Sequence, residues 1–227
     1  MNVCTLVPDY VKDKHPRITS LAVGIMFAAY QLLILILAPI LGEKLSVLGR
    51  RSALLYGFVV LSLATVSFAM ASFCETDEGF YTVSIVARAF QGAADAIILV
   101  TVPSIIAIEW PDRNETYQSY AGAAMGLGLM LGPVIASGFR QYFDFFWTMI
   151  FFAIIVTIFG LIVACLIPKR IDEIAEDQDE FEDVPFTIFL KNPRVLAVLF
   201  ALFAASIGLI SQEPILVLRL QELGVSR

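Results

Sequence analysis

Apolar positions divide the chain into six long runs separated by polar segments. The runs cover residues 21–41, 52–74, 80–108, 119–139, 143–167 and 195–218. Each reaches the roughly 20 residues that a helix rising about 1.5 Å per residue needs to cross a hydrocarbon layer. Backbone polar groups in lipid must be satisfied within the segment, so helix is the state expected of every run. A membrane strand would alternate apolar and polar positions, which these runs do not. The expected fold is all-α, a polytopic transmembrane helix bundle of about six spans.

The polar segments set the organisation. Residues 1–20 are mixed and polar and lack the basic-then-apolar order of a signal peptide. His15 stands there beside Pro16 and is expected to be solvent-exposed, with pH sensing the alternative. Residues 169–194 hold an acidic run from Asp172 to Asp183, read as a solvated cytoplasmic linker. Phe186, Ile188, Phe189 and Leu190 at its end suggest a short interfacial helix. The expected domains are the polar segment 1–20, a block of spans over 21–168, the linker 169–194, and a last span within 195–227. Lys44, Arg50, Arg51, Arg113, Lys169, Arg170, Lys191 and Arg194 flank one side of the spans, which the positive-inside rule places in the cytoplasm. Six spans then put both chain ends on the far side, and the simplest expectation is that an earlier helix precedes Met1.

Composition agrees with lipid. The chain is 59% hydrophobic and 16% charged, against about 45–50% and about 25% in soluble domains. The net charge of −6 resides largely in the linker and implies no nucleic-acid partner. Cys4, Cys74 and Cys165 lack metal-site spacing and are expected as small apolar thiols, with a Cys4–Cys74 disulfide the alternative. No phosphate loop, nucleophile elbow or zinc motif occurs, so neither an enzyme nor a cofactor or metal is expected.

The chemistry lies inside the spans. Arg88, Gln91 and Asp95 fall at i, i+3 and i+7 on one helix face. Intramembrane charges cost about 2.5–3.5 kcal/mol each on insertion scales, so they face a bundle interior or a wet cavity. A substrate or proton pathway and a buried cluster that holds helices together are both open readings. Arg88 and Asp95 are about 10 Å apart along the axis, so Gln91, a water or another helix would have to mediate between them. Asn114-Glu115-Thr116 is a glycosylation sequon that this topology places in the cytoplasm, where it would be idle. Glu109 and Glu213 sit near span ends beside Trp110 and Pro214 and are read as interfacial, with a transport role for Glu213 the alternative.

Two further patterns bear on movement. Gly42 and Gly49-Arg50-Arg51 bracket a short connection between the first two spans, where a tight reversal with cationic anchors is expected. The fourth run carries Gly122, Gly126, Gly128, Gly132, Pro133, Ala136 and Gly138. Four-residue spacing of small residues lets helices approach closely, and Pro133 removes one helical hydrogen bond and is expected to bend the helix.

Together these residues resemble the major facilitator superfamily. The segment from Gly42 to Arg51 is similar to its signature between helices two and three, and Arg88-Ala89-Phe90-Gln91-Gly92 to its helix-four signature. Gly128-x-x-x-Gly132-Pro133 resembles the helix-five motif of its proton antiporters. Ser104-Ile105-Ile106-Ala107 followed by Glu109, Pro111 and Asp112, with Lys191-Asn192-Pro193-Arg194, is similar to the vesicular amine transporter branch, including its polyamine-type members. The chain departs from the pattern at Ser46 and Val47, where the family has an acidic and a basic residue, and at Ala136-Ser137, where it has paired glycines. Asp95 is an acid beyond the helix-four signature.

The resemblance implies family helices two to seven, with Val7-Pro8 at the end of helix one: a partial fold from a twelve-helix architecture. It implies a multi-pass protein of a vesicular or plasma membrane that moves a small organic solute by alternating access, with proton-coupled antiport of an amine-like compound the expected activity. Arg88 would then line the pathway. Asp95 is the expected protonatable site, because desolvation disfavours a charged carboxyl. Gly42, Gly49, Arg50, Arg51, Gly128, Gly132 and Pro133 would serve gating and bending. The partners implied are the lipid bilayer, the solute and protons. The alternative is a non-transporting membrane subunit or scaffold, which would need a partner protein to cover its polar face.

Overall fold

The computed structural model describes residues 3–168, 170–172, 193–197, 199–201 and 204. The chain divides into two compact units, Met1–Glu180 and Phe181–Arg227. The first holds α1 (Val3–Lys14), α2 (Ser20–Leu48), α3 (Arg50–Met70), α4 (Asp77–Glu109), α5 (Asn114–Arg140) and α6 (Phe145–Leu166), with short 3-10 turns at Ala71–Phe73 and Pro111–Arg113. In the second, residues 193–197, 199–201 and 204 are helical. Most of the sixth predicted span, nearly all of the acidic linker, and the side chains of Cys4 and Ser46 lie outside the described residues. No strand occurs among the described residues, and five helices are long and apolar enough to cross a membrane.

Local chemistry explains the helix starts. Thr19 accepts the Ala22 N–H at 3.2 Å and Thr76 the Gly79 N–H at 3.2 Å, each satisfying a donor that a helix N-terminus leaves open. Asp77 and Glu78 then place negative charge in the first turn of α4. Two features differ from the sequence reading. The polar segment contains α1, a helix with Pro8 inside it. The tight reversal does not start at Gly42: α2 runs through Gly42 to Leu48, because Glu43-Lys44-Leu45 continue the helix and Leu45 is buried. A single residue, Gly49, makes the turn at φ +74°, the left-handed region that favours glycine.

Packing centres on α4, which lies against α2 and α3, while α3 also lies against α6. One glycine on each of three helices permits a close approach. A Cβ at Gly57 of α3 would come within 2.9 Å of Ile98, one at Gly160 of α6 within 3.0 Å of Phe58, and one at Gly92 of α4 would collide with the Tyr30 carbonyl oxygen. By contrast Gly122, Gly126, Gly128 and Gly138 of α5 have no such neighbour within 4 Å among the described residues. Gly132 and Ala136 alone are buried on α5, which runs as continuous helix across Pro133.

One end of the bundle is an aromatic cluster. Tyr10 stacks on Phe145 at 4.5 Å, Phe145 meets Phe68 edge-on at 5.8 Å, and the Arg140 guanidinium lies 5.6 Å over the Tyr10 ring. Burial pushes the Tyr10 hydroxyl pKa above the usual phenol range. His15 belongs to this cluster, which corrects the expectation that it is solvent-exposed. It is 4% exposed, stacks on Phe80 at 4.5 Å and places Nδ1 2.7 Å from Asp77 Oδ1. The α1–α2 turn folds it back onto the start of α4, a contact invisible to local sequence.

Candidate functional site

The sequence-predicted Arg88, Gln91 and Asp95 of α4 form one seam that Ser84 extends. Ser84, Arg88, Gln91 and Asp95 occupy positions i, i+4, i+7 and i+11, about 16 Å of helix with all four on one face. Ser84, Arg88 and Gln91 are buried at 0%, 3% and 4% exposure, whereas Asp95 is half-buried.

Each neighbouring helix answers the seam with two residues three apart. From α3, which runs antiparallel to α4, Phe68 lies 4.7 Å beneath the Arg88 guanidinium and Thr65 Oγ1 accepts from Gln91 Nε2 at 3.1 Å. From α2, parallel to α4, Phe27 lies 5.4 Å from the Arg88 guanidinium and the Tyr30 hydroxyl donates to Asp95 Oδ2. A desolvated guanidinium over an aromatic face gains about 2 kcal/mol from the ring quadrupole, which offsets part of the cost of burying it. Gln91 therefore turns to α3 and Asp95 to α2. Thr65 in turn donates to its own helix at Leu61 O, 2.7 Å away. The Oγ of Ser84, Oε1 of Gln91 and Oγ1 of Thr101 are buried without a hydrogen-bond partner among the described residues.

The arginines after Gly49 fasten the opposite end. Arg50 Nε donates to Ser104 Oγ of α4 at 2.8 Å. Arg51 Nε and Nη2 donate to the Ile167 and Ala164 carbonyls at 2.8 and 3.0 Å, satisfying acceptors that the α6 C-terminus leaves open. Asp172 Oδ1 accepts the Arg51 backbone N–H at 3.0 Å, and its carboxylate stands 3.1 Å from where a Gly49 Cβ would be. Arg170 pairs with Glu109 at 2.5 Å. A carboxylate thus does sit at this turn, but it comes from the start of the acidic run and not from the α2–α3 connection. A Cβ at Gly42 would meet only Val100 among the described residues, at 3.9 Å.

Sequence reading missed Tyr30, Thr65, Ser84 and Asp172. Ser84 carried a usable signal, lying one turn before Arg88 on the same face. Tyr30 adjoined Gln31, the one interruption noted in the first run. Thr65 and Asp172 carried none, since a threonine in an apolar span and an acid in an acidic run are unremarked locally. Among the described residues no group of His, Cys, Asp and Glu could hold a metal ion.

Five membrane-length helices among the described residues, with α2 and α3 packed on a polar seam of α4, define a polytopic membrane protein. The chain belongs to the Major Facilitator Superfamily, whose family profile matches residues 1–226. It is 24% identical over 219 residues to the chromaffin granule amine transporter of Homo sapiens, covering 95% of this chain and 38% of that protein. Over 227 residues it is 26% identical to the synaptic vesicular amine transporter of Mus musculus, covering 98% and 42%. Multidrug resistance protein 2 of Bacillus subtilis (strain 168) is 21% identical over 94% of this chain and 52% of its own length. The chain therefore spans about two fifths of the amine transporters it matches. No solved structure matches it. As a member of this family it is a multi-pass integral membrane protein.

Proposed function

We propose that this chain forms part of a carrier that moves a small organic solute by alternating access, in antiport with protons, the solute being amine-like. The observation that carries the reading is Asp95: an ionisable side chain at mid-span of α4, half-buried and hydrogen-bonded from α2, while Arg88 and Gln91 are enclosed. An intramembrane acid is costly and is kept at such depth where it does chemistry. The names of the vesicular amine relatives support the solute class and a vesicular or plasma membrane setting.

In this reading residues 21–168 supply helices of the first half of the carrier, residues 169–194 the cytoplasmic linker and residues 195–227 the first helix of the second half. The Arg50 end faces the cytoplasm and the His15 end the lumen or exterior. Asp95 exchanges protons; Arg88 and Gln91 set the polarity of the wall behind it; the Gly49-Arg50-Arg51 turn, held on α6 and α4, closes the cytoplasmic end in the state described. Gly128, Gly132 and Pro133 let α5 flex between states.

The test is uptake of tritiated dopamine by proteoliposomes of the full-length protein under an inside-acid gradient. The expected result is accumulation that collapses when the gradient is dissipated and falls to the level of empty liposomes in Asp95→Asn. Unchanged gradient-driven uptake in Asp95→Asn would remove Asp95 from the coupling step.

A further inference from the structure

The Asp95 carboxyl has a partner that nothing in the α4 sequence discloses. Tyr30 projects from α2, its hydroxyl donating to Asp95 Oδ2. Gly92, three positions before Asp95 and on adjoining turns of the same face, brings the two helices together: a Cβ there would collide with the Tyr30 carbonyl oxygen and stand 3.1 Å from the Tyr30 Cα. The backbone of Tyr30 is thus seated on α4 beside the carboxyl its side chain holds. Among the described residues the surrounding ionisable groups are few. On α4 itself Arg88 is two turns away; α2 offers no other ionisable group before Glu43 and Lys44, more than three turns on; α3 offers Tyr56, which is 66% exposed, and Arg50 and Arg51 at its N-terminus, where Arg50 bonds Ser104, more than two turns past Asp95 on α4. A half-buried tyrosine hydroxyl beside a carboxylate is its natural donor, since the carboxylate can only accept.

We propose that Tyr30 is a positioning residue for Asp95: it caps the carboxyl across the close α2–α4 contact at Gly92, so that proton exchange at Asp95 depends on the spacing of these two helices. The inference rests on the reading of Asp95 as the proton site, and it adds the element that regulates access to it. When α2 sits on Gly92 the carboxyl is engaged by the hydroxyl. When α2 moves off, the carboxyl is released to exchange its proton.

The experiment uses the full-length protein and dicyclohexylcarbodiimide, an apolar carbodiimide that adds to protonated carboxyls within membranes. Modification of the Asp95 peptide is followed by mass spectrometry at neutral pH, with Asp95→Asn as the blank. Tyr30→Phe keeps the ring and its packing but removes the donor. It is expected to raise the rate of Asp95 modification about tenfold, the equilibrium factor of roughly one hydrogen bond. Gly92→Ala, which forces α2 away while leaving Tyr30 intact, is expected to raise it in the same direction. Equal modification of the unsubstituted protein and Tyr30→Phe, including none in either, overturns the proposal. So does acceleration by Tyr30→Phe that is matched at a second membrane carboxyl. If Tyr30→Phe accelerates modification at Asp95 alone while Asp95→Asn still shows gradient-driven uptake, the pairing stands and the coupling role of Asp95 falls.

Discussion

Helices α4 and α5 are both rich in small residues, but among the described residues it is the glycine of α4 that brings a neighbouring backbone close. On α4, Ala87, Gly92, Ala94 and Ala96 are buried. Gly92 sits directly against the α2 backbone. On α5, Gly122, Gly126 and Gly128 are exposed, and burial is confined to Gly132 and Ala136 near its C-terminal end, where Ala136 joins the cluster of Val7, Val11 and Phe145. A small residue records only that an approach is permitted. What fixes the approach is a reason for the neighbour to stay, and α4 supplies one through its polar seam: Arg88 against two phenylalanine rings, Gln91 on Thr65, Asp95 on Tyr30. In lipid, where apolar burial between helices gains little, such polar contacts and tight packing do most of the holding.

Substituting equivalent residues on the two helices sharpens the contrast. Gly92→Ala should have the largest effect, a loss of about 2 kcal/mol, because the added methyl meets rigid backbone that can only move with α2. Thermal denaturation of the detergent-solubilised protein would show it as a clear drop in Tm, and an unchanged Tm would mean that α2 and α4 are not in contact there. Asp77→Ala, at the start of α4, removes the partner of the buried His15 and should cost about 1–2 kcal/mol in the same assay. The smallest effect belongs to α5. Gly126→Ala meets no neighbour among the described residues and should be neutral or stabilising by up to about 1 kcal/mol through helix propensity. A loss of stability at Gly126 would place another segment against α5 in the purified protein and erase the contrast.

The same lesson runs through the rest of the molecule. The apolar runs predicted five of the helices with ends shifted by up to seven residues, since run length and the need to satisfy the backbone in lipid are properties of a segment. The periodic placement of Arg88, Gln91 and Asp95 predicted their common face for the same reason. Failures began where a residue's fate depended on something distant in sequence. His15 read as an exposed loop residue and is buried against Asp77, 62 positions away. Gly42 read as the start of a turn and is helical. The four-residue glycine spacing on α5 drew attention from Gly57, Gly92 and Gly160, where close approach occurs. Ser46 read as the loss of the family's acid from the α2–α3 connection, and a carboxylate reaches the Gly49 turn from Asp172, 121 positions from Arg51.

The sequence by itself determined that this is a membrane bundle of helices, which family it belongs to, and that one helix bears an ionisable seam. Those follow from hydropathy, 3.6-residue periodicity and local motifs, all contained within short windows. Only the tertiary structure decided which side chains meet that seam, because hydrogen bonds, ring contacts and collisions such as that between Gly92 and Tyr30 exist only once helices far apart in the chain are side by side.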